Sequence, residues 1–350
     1  MKMTHGGDWF GYRHQFGRYG LDFSANTSPL GLPPTVAEAV TRSLPFADRY
    51  PDPLCRELCE ALAAKEGCLP EQVLCGNGAA ELLFRFALAL RPRKALLCAP
   101  TFAEYRAALE TVDCAIEEFL LREENDFRLT NDFLTHITPE TDVVFLCLPN
   151  NPTGLLIPQK LLLDIVQRCT ETNTFLAVDA CFLDFVQGED VVSTTELLRS
   201  AQNLIVFKAF TKLYGMAGLR LGYCMSTDRS LLEQMRRSGQ PWSVSTPAQA
   251  AGLAALKETD YVHRVQALIA EQRPIVQRGL EQLGLRVIPG RANFLLFRAP
   301  EALGEGMKQR GIMLRSCVNF SGLSCEWYRT AIRTAEENRT LLTTMEEALS

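Results

Sequence analysis

The chain has 350 residues, 47% of them hydrophobic and 22% charged, with a formal net charge of −5. That length exceeds one typical domain, so a large and a small unit sharing an interface are expected. Basic residues are interspersed with acidic ones and no apolar run approaches the roughly 20 residues of a bilayer-spanning helix, which argues against a nucleic-acid partner and against a membrane protein.

Residues 1–40 show little periodicity and read as an arm that crosses to the smaller unit. They open on Met1-Lys2-Met3-Thr4-His5-Gly6-Gly7, which lacks the apolar stretch of a secretory signal, so a cytoplasmic location is expected. Residues 41–230 read as the large domain. From Val73 to Met225, short apolar runs alternate with helical patterns: Val73-Leu74-Cys75, Ala95 to Cys98, Val143 to Leu146, Phe175 to Val178 and Leu204 to Phe207 as strands, with helices over Ala79–Leu90, Phe102–Val112 and Pro158–Thr170. Continuously apolar strands covered by helices predict an α/β fold with a mostly parallel sheet. Residues 231–350 read as a smaller α+β domain, entered by a long helical pattern and containing Leu285 to Ile288, Asn293 to Phe297 and Tyr328 to Arg333 as strands. The 12 cysteines are scattered through apolar segments such as Leu97-Cys98-Ala99, as reduced thiols packed like small hydrophobes. Cys55 and Cys59 lack a C-x-x-C pattern or a nearby His, so no metal site is expected.

Chemistry is concentrated in a few segments. Gly76-Asn77-Gly78-Ala79-Ala80-Glu81 joins a strand to a helix, where small residues let backbone N–H groups meet a phosphate. It is neither a dinucleotide nor a nucleoside-triphosphate signature. Pro149-Asn150-Asn151-Pro152-Thr153-Gly154 and Val178-Asp179-Ala180-Cys181-Phe182 follow strands, at the ends where open α/β sheets bind ligands. Phe210 to Tyr223 sets Lys212 among small residues with Arg220 eight positions on, a pairing that suits a carbonyl-condensing lysine beside a phosphate clamp.

In order and spacing, Asn151, Asp179, Lys212 and Arg220 resemble the cofactor site of fold-type I pyridoxal-phosphate (PLP) enzymes, the aspartate aminotransferase superfamily. The resemblance implies that Lys212 carries the cofactor and needs a neutral amine, which burial and nearby cations favour. It implies that Arg220 holds the phosphate, with Gly78 and Ala79 at the helix start. Asp179 would keep the pyridine nitrogen protonated, Asn151 would donate to the ring's phenolic oxygen, and Phe102 in Pro100-Thr101-Phe102-Ala103-Glu104-Tyr105 would stack on the ring. Arg49-Tyr50-Pro51-Asp52 resembles a segment that reaches into the partner's site, which implies a homodimer in which Tyr50 meets the other subunit's cofactor phosphate.

Nearly the whole chain is similar to one branch, the L-threonine-O-3-phosphate decarboxylases of cobalamin biosynthesis, near relatives of the histidinol-phosphate aminotransferases. The segments that carry this are His5-Gly6-Gly7, Leu21 to Asn26, Phe102 to Tyr105, Gly290 to Asn293, Leu314 to Cys317 and Tyr328 to Thr334. The branch implies PLP-dependent decarboxylation of a phosphorylated amino acid, with Arg333 on the substrate carboxylate and Arg315 with the His5-Gly6-Gly7 arm toward its phosphate; Asn26 joins this substrate set. Transamination of histidinol phosphate or a related compound is the alternative, followed by a PLP-fold binding module without turnover. Phe182 stands where many aminotransferases have a tyrosine. Ala209 stands where the superfamily usually has a phosphate-binding hydroxyl, whose loss Thr211 and Lys208 are expected to offset.

Overall fold

The computed structural model describes residues 5–188 and 191–350. In chain order its strands are β1 (Leu21–Asp22), β2 (Val73–Gly76), β3 (Lys94–Ala99), β4 (Ala115–Leu120), β5 (Val143–Cys147), β6 (Phe175–Asp179), β7 (Leu204–Ala209), β8 (Gly222–Ser226), β9 (Arg286–Ile288), β10 (Phe294–Arg298), β11 (Ile312–Met313), β12 (Arg315–Ser316) and β13 (Trp327–Ala331). Seven of them form the large sheet in the order β2-β8-β7-β6-β5-β3-β4. All neighbours in it are parallel except β8, which runs antiparallel to both β2 and β7.

Alternate residues of these strands enter two separate cores. Val144, Leu146, Val178 and Val206 join one, while Val143, Phe145, Ala177 and Phe207 join the other. Both faces are therefore dry, which is why β5, β6 and β7 read as unbroken apolar runs. The edge strand β4 differs, because Glu117 and Glu118 interrupt it and Glu117 is paired with Lys94 and His136. An edge carrying charge resists pairing with another chain, and its polar alternation hides it from a search for apolar runs.

The second sheet is antiparallel, in the order β12-β13-β10-β9. Helix Arg229–Arg237 packs on Gly78–Leu90, and Thr246–Ala255 packs on Pro34–Ser43 and Arg56–Glu66. Both helices thus stay with the large unit, and the 24-residue helix Thr259–Gln282 carries the chain across to the small sheet. The N-terminal arm lies on the small unit: β1 runs parallel to β11, and the Ala331 N–H donates to the Phe23 carbonyl at 2.8 Å. Among the described residues no helix is long and apolar enough to cross a membrane.

Candidate active site

The C-terminal ends of β3, β5, β6 and β7 open on a cavity of about 360 Å³ that the small sheet and the arm close from the other side. Lys212, Asp179, Asn151, Arg220, Phe102, Ala79, Thr211, His5, Gly6 and Arg315 all line it. Residues more than 300 positions apart in sequence converge here because the parallel strands put their C-terminal loops on the one side that the arm and the small sheet cover.

Lys212 sits on the short helix Phe210–Leu213 immediately after β7, with its Nζ 5.7 Å from the centre of the Phe182 ring. Burial first, then the cations Arg329 and Arg220, lower its pKa to about 8. Arg220 has φ of +57° and turns its guanidinium against the start of helix Gly78–Leu90, where a Cβ at position 78 would stand 2.6 Å from its Nη2. Gly78 thus lies behind the cavity wall and clears space for the arginine. Gly222 does the same for the helix start, since a Cβ there would come within 2.4 Å of the Ala79 nitrogen. Backbone N–H groups, a helix N-terminus and a guanidinium meet at one end of the cavity, as a phosphate requires.

Asp179 ends β6 and is buried. Its Oδ1 accepts from the Cys181 N–H at 3.0 Å and its Oδ2 from the Tyr105 hydroxyl at 2.7 Å. Asn151 is also buried, and its Oδ1 accepts from Arg329 Nη1, which leaves the amide nitrogen as its donor end. Phe102 forms part of the wall and meets the Tyr105 ring edge-on at 5.6 Å.

The small sheet contributes two arginines. Arg315 on β12 and Arg329 on β13 are cross-strand partners, and both line the cavity. Arg329 also donates to the Ser24 carbonyl at 2.9 Å, and burial lowers its pKa to about 10. Arg315 donates to the Ser316 carbonyl and to Asn319 Oδ1, each at 2.7 Å, and burial lowers its pKa as well.

Arg333, expected on the substrate carboxylate, is absent from this wall. It lies past the end of β13, where Nε and Nη2 hold Glu337 at 2.9 and 2.7 Å and Nη1 donates to the Asp22 carbonyl at 3.2 Å. The cavity-facing cation is Arg329, four residues earlier. Asn26 likewise lies behind the site: with its amide oxygen turned to the guanidinium it accepts from Arg329 Nε and Nη1 at 3.2 and 3.1 Å, so it holds the arginine.

His5 stands at the cavity mouth with its Nε2 2.7 Å from Glu104 Oε1. Gly6 is pressed so closely on Ser24 that a Cβ would come within 2.3 Å of the Ser24 carbonyl oxygen, and the Gly7 N–H donates to Ser24 Oγ at 2.8 Å. Gly7 therefore anchors the arm without lining the cavity. Tyr50 lies outside the cavity, 79% exposed and stacked on Trp242 at 4.4 Å. Lys208 is not available to a phosphate: it is buried between Glu66 at 3.0 Å and Asp184 at 2.9 Å, which together push its pKa up although burial alone would lower it.

These positions fit PLP on the chemistry of the donors. An anion cup, a lysine with a depressed pKa and a buried carboxylate follow one another along one cavity, matching a phosphate, an aldehyde and a ring nitrogen. Among the polar cavity residues, Ser24, Glu104, Cys147, Cys181 and Arg329 carry no role expected from the sequence. Arg329 had a signal: it lies inside an apolar strand run, whereas Arg333 immediately precedes Thr334-Ala335-Glu336-Glu337, a helix capping box that claims its neighbourhood.

The sequence model of the family described as aminotransferase class I and II matches residues 19–345. The threonine-phosphate decarboxylase of Salmonella typhimurium is 39% identical over 334 residues, covering 94% of this chain and 91% of that protein. The histidinol-phosphate aminotransferase of Methanothermobacter thermautotrophicus is 32% identical over 338 residues, covering 93% of this chain and 88% of that one. Among solved structures, the histidinol-phosphate aminotransferase of Sinorhizobium meliloti in complex with pyridoxal-5'-phosphate superposes with a TM-score of 0.88 at 23% identity, covering 97% of this chain and 94% of the other.

Proposed function

The chain belongs to the aminotransferase class I and II family, whose members depend on PLP, and we propose that it decarboxylates L-threonine O-3-phosphate to (R)-1-amino-2-propanol O-2-phosphate in cobalamin biosynthesis. The observation that carries the substrate class is the registered pair Arg315 and Arg329 facing one cavity. Two guanidinium groups side by side repel each other and match a substrate with two anionic groups, one carboxylate and one phosphate. The 39% identity to a threonine-phosphate decarboxylase supports that choice over a histidinol-phosphate aminotransferase, of which the relative above is 32% identical.

Bound along this cavity, PLP would accept the electron pair left at Cα when a bond to that carbon breaks. Asp179 holds a negative charge at the ring-nitrogen end, and Asn151 presents a donor beside it. Arg220 and the helix start at Gly78 fix the phosphate end, and Phe102 covers a face. Arg329 and Arg315 divide carboxylate and phosphate between them and so set which Cα bond stands perpendicular to the ring. Cleavage of the Cα–carboxyl bond releases CO₂, and Lys212 Nζ, alongside, can return a proton to Cα. The arm closes the mouth through His5 and limits water, which strengthens every ionic contact inside.

The protein is proposed to act in the cytoplasm as a homodimer, with Tyr50 and its stacked partner Trp242 forming part of the surface between subunits. The functional test compares kcat/KM for L-threonine O-3-phosphate and for L-threonine. Unphosphorylated substrate lacks one of the two anionic groups that the arginine pair matches, so a discrimination of at least about a hundredfold is expected. Equal turnover of the two would overturn the substrate assignment.

A further inference from the structure

Tyr105 has no role in the chemistry proposed above, yet it is wholly buried, and its hydroxyl donates to Oδ2 of Asp179 at 2.7 Å with the Cys147 thiol also against it. Its ring is fixed on two sides, stacked on Phe145 at 5.1 Å and 22° and met edge-on by Phe102 at 5.6 Å and 81°. The other carboxylate oxygen accepts from the Cys181 N–H at 3.0 Å. A carboxylate held at both oxygens, with the Cys181 thiol as a further partner, cannot turn about its own axis, and it still lines the cavity.

We propose that Tyr105 is a positioning residue that keeps the Asp179 carboxylate aimed at the ring nitrogen of bound PLP, so that the shared proton stays on the nitrogen. The proposal rests on the reading that Asp179 meets that nitrogen. Its physical basis is that a carboxylate fixed by donors at both oxygens presents its remaining lone pairs in one direction, and an anionic acceptor held at the ring nitrogen favours the protonated nitrogen. The phenol is itself held as a donor, because burial and then the Asp179 charge push its pKa well above the usual tyrosine value. The contact also ties the carboxylate under the ring nitrogen to Phe102, the aromatic that covers the ring. One side chain thereby registers two cofactor contacts that lie on different loops.

The test uses the Tyr105→Phe holoenzyme reconstituted with PLP carrying ¹⁵N in the ring. Apo-protein melting checks that the isosteric change leaves the fold intact. The ring nitrogen resonance is expected to move toward the unprotonated pyridine value, and PLP binding to weaken roughly tenfold, the scale of one hydrogen bond to a charged group. With saturating PLP, kcat should fall at least about tenfold while KM for the substrate stays within about twofold. Phe145→Leu removes ring packing and keeps the hydroxyl, so its nitrogen resonance should match wild type. An unchanged resonance and affinity in Tyr105→Phe, or an equal shift in Phe145→Leu, overturns the proposal. Asp179→Asn separates the underlying reading: it should abolish nitrogen protonation, and if it does not, the Asp179 assignment falls and takes the role of Tyr105 with it.

Discussion

Arg315 and Arg329 stand opposite each other in register on β12 and β13, two buried guanidinium groups on one cavity wall. Each is held by neutral oxygens, Ser316 and Asn319 for one, Ser24 and Asn151 for the other. These carbonyl and amide oxygens orient both guanidinium groups on the cavity wall. Arg329 further shares Asn151 with the cofactor end of the site, which links substrate docking to the residue proposed to meet the ring.

Arg329→Ala is therefore expected to lower kcat/KM for threonine phosphate by at least about a hundredfold, the scale set by removing one partner of a buried charged contact. Arg333→Ala should leave kcat/KM within about threefold and instead loosen the helix that Thr334 caps, lowering Tm by about 1–4 °C. Steady-state kinetics and melting curves on both variants decide it. The reverse pattern would return the carboxylate role to Arg333.

The Lys212 amine carries a pH signature. Its pKa falls from 10.5 to about 8 in the folded chain, chiefly through burial. The unfolded chain therefore binds more protons between those values, so apo-protein stability attributable to this group rises as pH climbs from about 8 to 10.5 and is lowest below 8. Lys212→Met should make the apo-protein more stable than wild type by about 2–3 kcal/mol at pH 7, with the gap closing toward pH 10. Denaturant unfolding of both apo-proteins across that range measures it; a gap that does not narrow contradicts the buried, proton-shedding lysine.

Ala209 lines the cavity three residues before Lys212 and has no hydroxyl to offer a phosphate. Because Lys208 is committed to Glu66 and Asp184, the loss expected there has no substitute from that neighbour. Ala209→Ser should tighten PLP binding by roughly tenfold, one hydrogen bond to a charged acceptor. Fluorescence titration of the apo-protein reads this directly, and an unchanged Kd would place the phosphate out of reach of position 209.

Tyr50 tests the proposed shared site. Mixing Tyr50→Ala with Lys212→Ala subunits, each inactive alone, should give hybrids that regain one working site in two. Purified hybrids with no recovered activity would remove Tyr50 from the partner's site, and full activity in a monomer by light scattering would remove the dimer.

The sequence made the large sheet and the cofactor end of the site legible for one reason: parallel strands buried on both faces leave unbroken apolar runs, and their following loops carry Asn151, Asp179 and Lys212. What it concealed depends on contacts between distant segments. The grip of Tyr105 on Asp179 spans 74 positions, and the hold of Ser24 on Arg329 spans 305, so neither leaves a local pattern. Arg333 is easily confused with the cavity-lining Arg329, since residues 329 and 333 share strand parity. Only the end of β13 at Ala331 and the capping box after it separate them. By position the helices at Arg229–Arg237 and Thr246–Ala255 belong with the small unit, whereas the first packs on helix Gly78–Leu90 and the second on Pro34–Ser43.

Decarboxylation of a phosphorylated amino acid is read from the fate of its carboxyl carbon. L-Threonine O-3-phosphate labelled with ¹³C in its carboxyl group is incubated with the purified protein and PLP, with no keto acid present. The account predicts labelled CO₂ in equal amount to 1-amino-2-propanol O-2-phosphate over many turnovers. Retention of the label in the amino acid, with turnover appearing only when a keto-acid acceptor is added and the label then found in a phosphorylated 2-keto acid, would contradict it and make the protein an aminotransferase.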